Sequence, residues 1–240
     1  MTTIQIRNNV AKKLSVPEMA SGYSFGEFCR AAIKLGPEGA VRMGLGMTPS
    51  QRVIKRTLDI VLSATALAAL APLFALIALG IKLSSPGPVL FFQERIGRHA
   101  RSFTILKFRT MYCGAPAVFW DDGQTVVVKN DSRVFPFGRL LRRGLDELPQ
   151  LVNVLRGEMS LIGPRPDEPC HIQHYRTGWF RKLDIQPGIT GLPQVCGRRE
   201  LAWPDRVALD VACASGYCLR IDIAIFLRTA GTIFLDENIA

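Results

Sequence analysis

Acidic side chains are scarce in this 240-residue sequence: 20 Asp and Glu stand against 30 Lys and Arg, a formal net charge of +10. That imbalance points to an anionic partner, whether nucleic acid, a phosphorylated small molecule or a lipid surface. Aromatic residues are also few, at 8%, and no stretch alternates them with basic residues in the manner that stacks single-stranded bases. Nucleic acid is set aside on that ground. Among the six cysteines (Cys29, Cys113, Cys170, Cys196, Cys213 and Cys218) there is no C-x-x-C pair, and His99, His171 and His174 complete no zinc pattern with them. Scattered cysteines of this kind are expected to be reduced thiols facing a cytosolic compartment. Internal repeats and low-complexity tracts are absent, and the length suffices for one ordinary core with a small appendage.

Charge is missing altogether from "IVLSATALAALAPLFALIALGI", Ile60 to Ile81. The run is long enough for a membrane span, which needs roughly 20 apolar residues. It begins too late for a secretory signal peptide, and no cleavage site follows it. Arg52, Lys55 and Arg56 precede it; Lys82, Arg95, Arg98, Arg101, Lys107 and Arg109 follow. A spanning helix concentrates positive charge on one side. Charge on both flanks favours a segment that enters the membrane and returns. Pro72 supplies the break, because proline lacks an amide donor and clashes with the preceding turn. The expectation is a kinked helix-turn-helix dipping into one leaflet; a straight span and a buried core helix are the alternatives.

Residues 1–50 read as an N-terminal extension, partly disordered. Ser24 to Glu27, "SFGE", has capping-box spacing before "FCRAAIKLG" and predicts a short helix, followed by a linker at "GPEGAVRMGLGM". After the apolar run (residues 51–86 in all), Ser85-Pro86-Gly87-Pro88 marks a turn. "VLFFQERIG" and "SFTILKFRTM" then predict two strands carrying Arg95, Lys107 and Arg109 near one surface. Such a cluster suits phosphate, or alternatively forms a positive skirt against anionic headgroups.

In "FGRLLRRGLDELPQLVNVLRG", a first helix is expected to stop at Gly144. A second is expected to start at Asp146, Glu147 and Pro149 and to run to Gly157, with Leu148, Leu151, Val152 and Leu155 at helical spacing. Acids in a first turn commonly do no more than favour the helix dipole. A helix start also attracts phosphate, and Arg142 and Arg143 lie close by. In that setting, two adjacent carboxylates can divide the work of attacking phosphorus and holding a metal ion or a proton. Pro164-Arg165-Pro166 holds one guanidinium on a restricted loop, suited to a ligand's phosphate or base. Near the C-terminus, Leu219, Ile223, Phe226, Leu227, Ala230, Ile233 and Phe234 line one face of a helix, either an interfacial helix or one packed on the core.

From about Lys55 to Phe234, the ordered motifs "KRTLDI", the Pro72 break, "SSPGPVLFFQERIG", "KFRTM", "DSRVFPFGRLLRRGLDELPQLVNVLRGEMSLIGPRP", "PGITG" and "RIDIAIFLRT" resemble those of the bacterial sugar transferases. These are monotopic polyprenol-phosphate phosphoglycosyl transferases. The resemblance implies an α+β, mostly helical fold. A re-entrant membrane helix hairpin would carry a small cytosolic α/β catalytic domain (residues 87–240) and interfacial amphipathic helices at the cytoplasmic face of the bacterial inner membrane. It implies that Asp146 attacks the β-phosphate of a UDP-sugar and expels UMP. Polyprenyl (undecaprenyl) phosphate then takes the phosphosugar from the aspartyl ester, the initiating step of exopolysaccharide, O-antigen or other glycan assembly. Mg²⁺ is implied near Asp146 and Glu147, with Pro164, Arg165 and Pro166 linked to the nucleotide. Membrane lipid is a further partner, and a homodimer is compatible with the sequence. Ala71 stands where the family often has serine before the kink, and Leu192, Pro193 and Cys196 replace residues of its common "GITGWAQVNGR". Two other readings stay open at this level: a non-catalytic basic scaffold or regulator at the membrane surface, and a glycosyltransferase that releases UDP.

Overall fold

The computed structural model describes residues 25–40, 47–116, 118, 131–196, 201–215 and 219–235. The first helix, α1 (Phe25–Ala40), buries Phe28, Cys29 and Ala32, one turn apart on a single face. Gly36, at φ 70°, interrupts its regular path. Ser24 of the expected capping box and residues 41–46 of the expected linker lie outside the described residues. The buried face of α1 belongs to the main apolar cluster.

Helix α2 (Pro49–Ser84) starts with a complete capping box: the Gln51 amide donates to Thr48 Oγ1 (3.3 Å), and the Thr48 amide to Gln51 Oε1 (3.0 Å). At 36 residues it would be about 54 Å long if straight. The expected turn at Pro72 is not formed, and the backbone stays helical through it. A proline removes one hydrogen bond, whereas a turn would expose several more amides and carbonyls in an apolar segment. Leu58, Val61, Leu62, Leu76, Leu79 and Leu83 are all exposed. Among the described residues, this is the one helix long and apolar enough to cross a membrane.

Both arms of α2 nevertheless rest on one small body. Before Pro72, Lys55 Nζ donates to the Ile162 carbonyl (2.9 Å) and pairs with Asp222 (2.8 Å). Arg56 donates to the Val154 and Leu155 carbonyls (2.6 and 2.9 Å), and Asp59 accepts from Ser160 Oγ and the Leu161 amide (3.1 and 3.0 Å). After it, Ile77 and Ile81 are buried with Phe108, Phe135 and Leu141, and Phe74 meets Phe108 edge-on at 5.2 Å.

The two predicted strands form as β1 (Leu90–Ile96) and β2 (Ser102–Phe108), an antiparallel pair. Phe91 lies opposite Lys107 and Arg95 opposite Phe103, so Arg95 and Lys107 share one face of the pair. Short helices α3 (Pro136–Leu141) and α4 (Gln150–Arg156) follow. Next comes a parallel pair, β3 (Ser160–Ile162) with β4 (Gly188–Thr190). Gly163 and Gly188 permit this close pairing: a Cβ on Gly188 would sit 2.1 Å from the Gly163 nitrogen. Helices α5 (Leu192–Cys196), α6 (Trp203–Ser215) and α7 (Leu219–Leu235) complete the described chain.

α6 is buried from Val207 through Ala214 and packs with Phe28, Ile162, Trp179, Leu192 and Ile225 in the main core. On α7, Ile225 is buried while Ile223, Phe226 and Leu227 are exposed, so the described part of the expected apolar face points away from the core. The sulphurs of Cys29 and Cys196 are bonded, joining α1 to α5, which corrects the expectation of free thiols throughout. Sequence separation hid the pair: the partners are 167 positions apart, and only the packing of α1 brings them together. Cys113 and Cys170 are exposed thiols, and Cys213 is buried on α6.

Asn153, fully buried on α4, ties that helix to β2. Its Oδ1 accepts the Leu106 amide (3.1 Å), and its Nδ2 donates to the Thr104 carbonyl and to Glu158 (both 2.7 Å). Leucine at this position would fill similar space but leave the Leu106 amide buried without that acceptor. Asn153→Leu is expected to lower the unfolding free energy by about 2–3 kcal/mol, read from denaturant titration in detergent.

Candidate active site

Gly144, at φ 111°, ends the α3 segment in the left-handed conformation that glycine tolerates. Leu145–Glu147 then winds as a 3₁₀ turn, with the Glu147 amide donating to the Gly144 carbonyl and the Leu148 amide to the Leu145 carbonyl (both 3.3 Å). The expected helix over Asp146 to Gly157 therefore begins later, at Gln150. Pro149 is the reason: an α-helix would use its amide to bond the Leu145 carbonyl, and proline has none. The acidic pair consequently sits on a tight turn ahead of α4, not in the first turn of a long helix.

The turn separates the two carboxylates chemically. Glu147 Oε1 accepts from Lys107 Nζ (2.9 Å) on β2 and from Arg165 Nη2 (3.0 Å) on the loop after β3. Burial works to raise its pKa, but the charges of Arg165 and Lys107 and their hydrogen bonds prevail and hold the carboxyl well below the usual range. Asp146, half-buried, forms no side-chain ion pair among the described residues. Burial pushes its pKa up to about 6, the Glu147 charge adds to the rise, and Lys107 and Arg165 oppose it. Two neighbouring carboxyls driven in opposite directions are suited to different roles.

Arg165 reaches Glu147 from a loop bonded on every side. The Gly163 amide donates to the Thr190 carbonyl (2.9 Å) and the Gly188 amide to the Pro164 carbonyl (2.8 Å). Arg95 Nη1 donates to the Pro166 carbonyl (3.4 Å), and its Nη2 pairs with Glu168 (3.1 Å). Pro164 and Pro166 are buried while Arg165 projects outward.

The structure thus brings Asp146, Glu147, Lys107 and Arg165 together, with Arg95 immediately behind as a support for the loop. Arg109, grouped from sequence with the phosphate-binding cations, is buried elsewhere. Its guanidinium donates to Pro88 O (2.6 Å), Ser85 Oγ (2.8 Å), Ser85 O (2.8 Å) and Met111 O (3.4 Å), clamping the turn that leaves α2. The Pro-Gly-Pro turn leaves carbonyls pointing inward, and a five-donor guanidinium satisfies them. Arg142 reaches Thr110 Oγ1 (3.2 Å), and Arg143 is exposed. Pro72 lies on the exposed side of α2. A cavity of about 510 Å³ bordered by His174, Arg176, Trp203 and Arg206 is lined by none of the acidic pair's neighbours.

Sequence reasoning passed over Asp59, Asn153, Asp167, Lys182 and Asp210, all of which the structure places in bonds that support this region. Only Asp167, next to Pro166, had a signal within reach. Among the described residues, no group of three or more His, Cys, Asp or Glu could hold a metal ion. Asp146 and Glu147 alone offer two carboxylates, a set that suits Mg²⁺ when phosphate oxygens supply further ligands.

Comparison with known protein families matches residues 50–236 to the family described as bacterial sugar transferase. The chain is 43% identical over 196 residues to a UDP-glucose:undecaprenyl-phosphate glucose-1-phosphate transferase of Caulobacter vibrioides, covering 77% of this chain and 71% of the relative. It is 36% identical over 212 residues to the exopolysaccharide production protein ExoY of Rhizobium meliloti, covering 83% and 91%. A third relative, the UDP-glucose:undecaprenyl-phosphate glucose-1-phosphate transferase of Escherichia coli, is 43% identical over 195 residues, 78% of this chain but 41% of its own length. With the matched region running from the first turn of α2 to the end of α7, this chain belongs to the bacterial sugar transferase family.

Proposed function

We propose that this enzyme transfers a sugar-1-phosphate from a UDP-sugar to polyprenyl phosphate and releases UMP. The observation that carries the reading is the division of the acidic pair: Glu147 held ionised between Lys107 and Arg165, and Asp146 beside it with no ion pair among the described residues. An Asp146 oxygen attacks the β-phosphorus of the donor, the bond from that phosphorus to the bridging oxygen breaks, and UMP leaves with the electron pair. A polyprenyl phosphate oxygen then attacks the same phosphorus. The aspartyl–phosphorus bond breaks, Asp146 is regenerated as a carboxylate, and polyprenyl-diphospho-sugar departs. One phosphoanhydride replaces another overall, so the protein's task is alignment and charge neutralisation.

Lys107 and Arg165 flank the position of the attacked phosphoryl group and oppose its negative charge. Glu147 fixes both cations in place. A magnesium ion, held by Glu147 and Asp146, would add neutralisation of the diphosphate charge.

The lipid acceptor requires the site to lie at a bilayer. The uncharged stretch of α2 and its exposed leucines support contact with the bilayer, and the seating of both its arms on one body supports a re-entrant placement in which the two ends stay together on the cytoplasmic side without a turn at Pro72. Lys55 and Arg56, counted among the flanking charges, turn inward to hold the first arm. The exposed Ile223, Phe226 and Leu227 on α7 support an interfacial helix beside it.

Incubation with a panel of UDP-sugars and undecaprenyl phosphate is expected to release UMP with at least one donor; release of UDP instead would indicate glycosidic chemistry. Asp146→Asn is expected to lower UMP release by about 10³-fold or more and to abolish a denaturation-stable phosphosugar adduct seen by mass spectrometry. A variant that keeps both would show that the nucleophile is another group.

Asp146 attacks only as a carboxylate, so lowering the pH through its pKa removes the reactive form. Adduct formation is expected to be half-maximal near pH 6 and to fall about tenfold per unit below it. Lys107 opposes the upward shift, so Lys107→Met should move that midpoint to higher pH; a downward move would contradict the electrostatic assignment.

A further inference from the structure

In and beneath the Arg165 loop lie three charged groups that the proposed reaction does not use. Lys182, 3% exposed, pairs with Asp167 (2.8 Å) and Asp210 (2.9 Å). Asp210, also 3% exposed, turns its other oxygen to the Arg165 amide, which donates to Oδ1 at 3.2 Å. Tyr175 donates its hydroxyl to Asp167, whose backbone carbonyl accepts the Ile96 amide (2.9 Å) at the end of β1.

Each member comes from a different part of the fold: Asp167 from the loop itself, Lys182 from the 3₁₀ segment Thr177–Asp184, and Asp210 from the buried stretch of α6. Burying such a set is unfavourable unless the charges satisfy one another, and apolar side chains of the same volume would pack a core at least as well. Burial works to lower the Lys182 pKa, but Asp167 and Asp210 hold it well above its ordinary value, so the lysine stays charged. What the ions provide and apolar residues could not is a directed acceptor for one amide, that of the residue whose side chain contacts Glu147. Asp210 thereby links the most buried helix of the domain to the most exposed cation of the candidate site.

We propose that the Asp167–Lys182–Asp210 triad is a positioning device for Arg165, with Asp210 setting the loop backbone so that the guanidinium reaches Glu147 and the donor's phosphates. This rests on the phosphoglycosyl transfer reading of the same site. The three residues are positioning residues, since none touches the reacting atoms.

A double-mutant cycle on the full-length protein tests it, with UMP release giving kcat/KM for the wild type, Asp210→Ala, Arg165→Ala and the double variant. Folding is checked by circular dichroism and thermal melting. Asp210→Ala is expected to lower kcat/KM by about 10–100-fold when Arg165 is present, as for residues that orient a catalytic group. In the Arg165→Ala background, the same change is expected to matter less than about threefold, because the residue through which Asp210 acts is already gone. Asp210→Asn, whose Oδ1 can still accept the amide, should restore kcat/KM to within about tenfold of wild type. Losses that multiply in the double variant, or an Asp210→Asn as impaired as Asp210→Ala, would overturn the proposal.

If Asp210→Ala fails to fold, Tyr175→Phe, which removes only the hydroxyl donated to Asp167, runs the same cycle with a smaller expected loss. Arginine side-chain NMR supplies a readout without turnover. The Arg165 guanidinium, assigned by its absence in Arg165→Lys, should show hindered rotation in the wild type and free rotation when the triad is broken. A wild type that releases no UMP while its Arg165 signal responds in this way would defeat the reaction and leave the positioning role standing. A signal indifferent to the triad would defeat the positioning role alone.

Discussion

Glu147 Oε1 joins the two halves of the site. Lys107 arrives from the β1–β2 hairpin and Arg165 from the loop after β3, and both converge on that one oxygen. Neither cation has another carboxylate of the site to hold it, and two like charges so close would otherwise repel. The carboxylate neutralises part of that repulsion and fixes both donors before any ligand arrives, which is the preorganisation that transfer of a charged phosphoryl group requires. The same arrangement isolates Asp146. With both cations hydrogen-bonded to its neighbour, burial and the adjacent negative charge raise its pKa, and among the described residues it forms no ion pair.

Most of the surrounding structure can be understood as support for that oxygen. Asn153 locks β2 onto α4, setting the distance from Lys107 to the turn that carries the pair. Gly163 and Gly188 let the Arg165 loop pair with the segment at Pro187. Arg95 and Glu168 close the loop from the other side, and α6 underlies it through Asp210. Helix α2 grips the back of the same assembly with one arm by an ion pair and hydrogen bonds and with the other by apolar packing. The acidic pair is thus braced from the hairpin, from the loop after β3 and from α6, while α2 keeps an exposed apolar surface beside it.

Local features were legible in the residues. The strand pair was readable from β-branched and aromatic enrichment, α2 from its uncharged length, and the stop at Gly144 from glycine's access to positive φ. The acidic pair stood out because acids are rare here and basic residues surround it. Pattern reading went astray where two local rules competed or where a distant group claimed a side chain. Pro72 looked like a turn, but an apolar helix retains its remaining hydrogen bonds in preference to breaking. Asp146 looked like the first turn of a helix, but Pro149 withholds the amide that such a turn needs. Arg109 looked like a phosphate ligand, and the carbonyls of the turn after α2 claim it instead.

The sequence by itself determined the chemistry available: two adjacent carboxylates, a surplus of cations to meet phosphate, and an apolar segment to meet lipid. These are properties of composition and short spacing, and they survive in the unfolded chain. Tertiary structure alone decided which cations reach the acidic pair and which of its two carboxylates they hold. Lys107 and Arg165 lie 40 and 18 residues from Glu147, and Asp210 lies 45 from Arg165. Those distances in sequence carry no periodicity to read. The difference between Asp146 and Glu147 is likewise invisible in "LDELP", because it arises from burial and from which oxygen two distant cations reach.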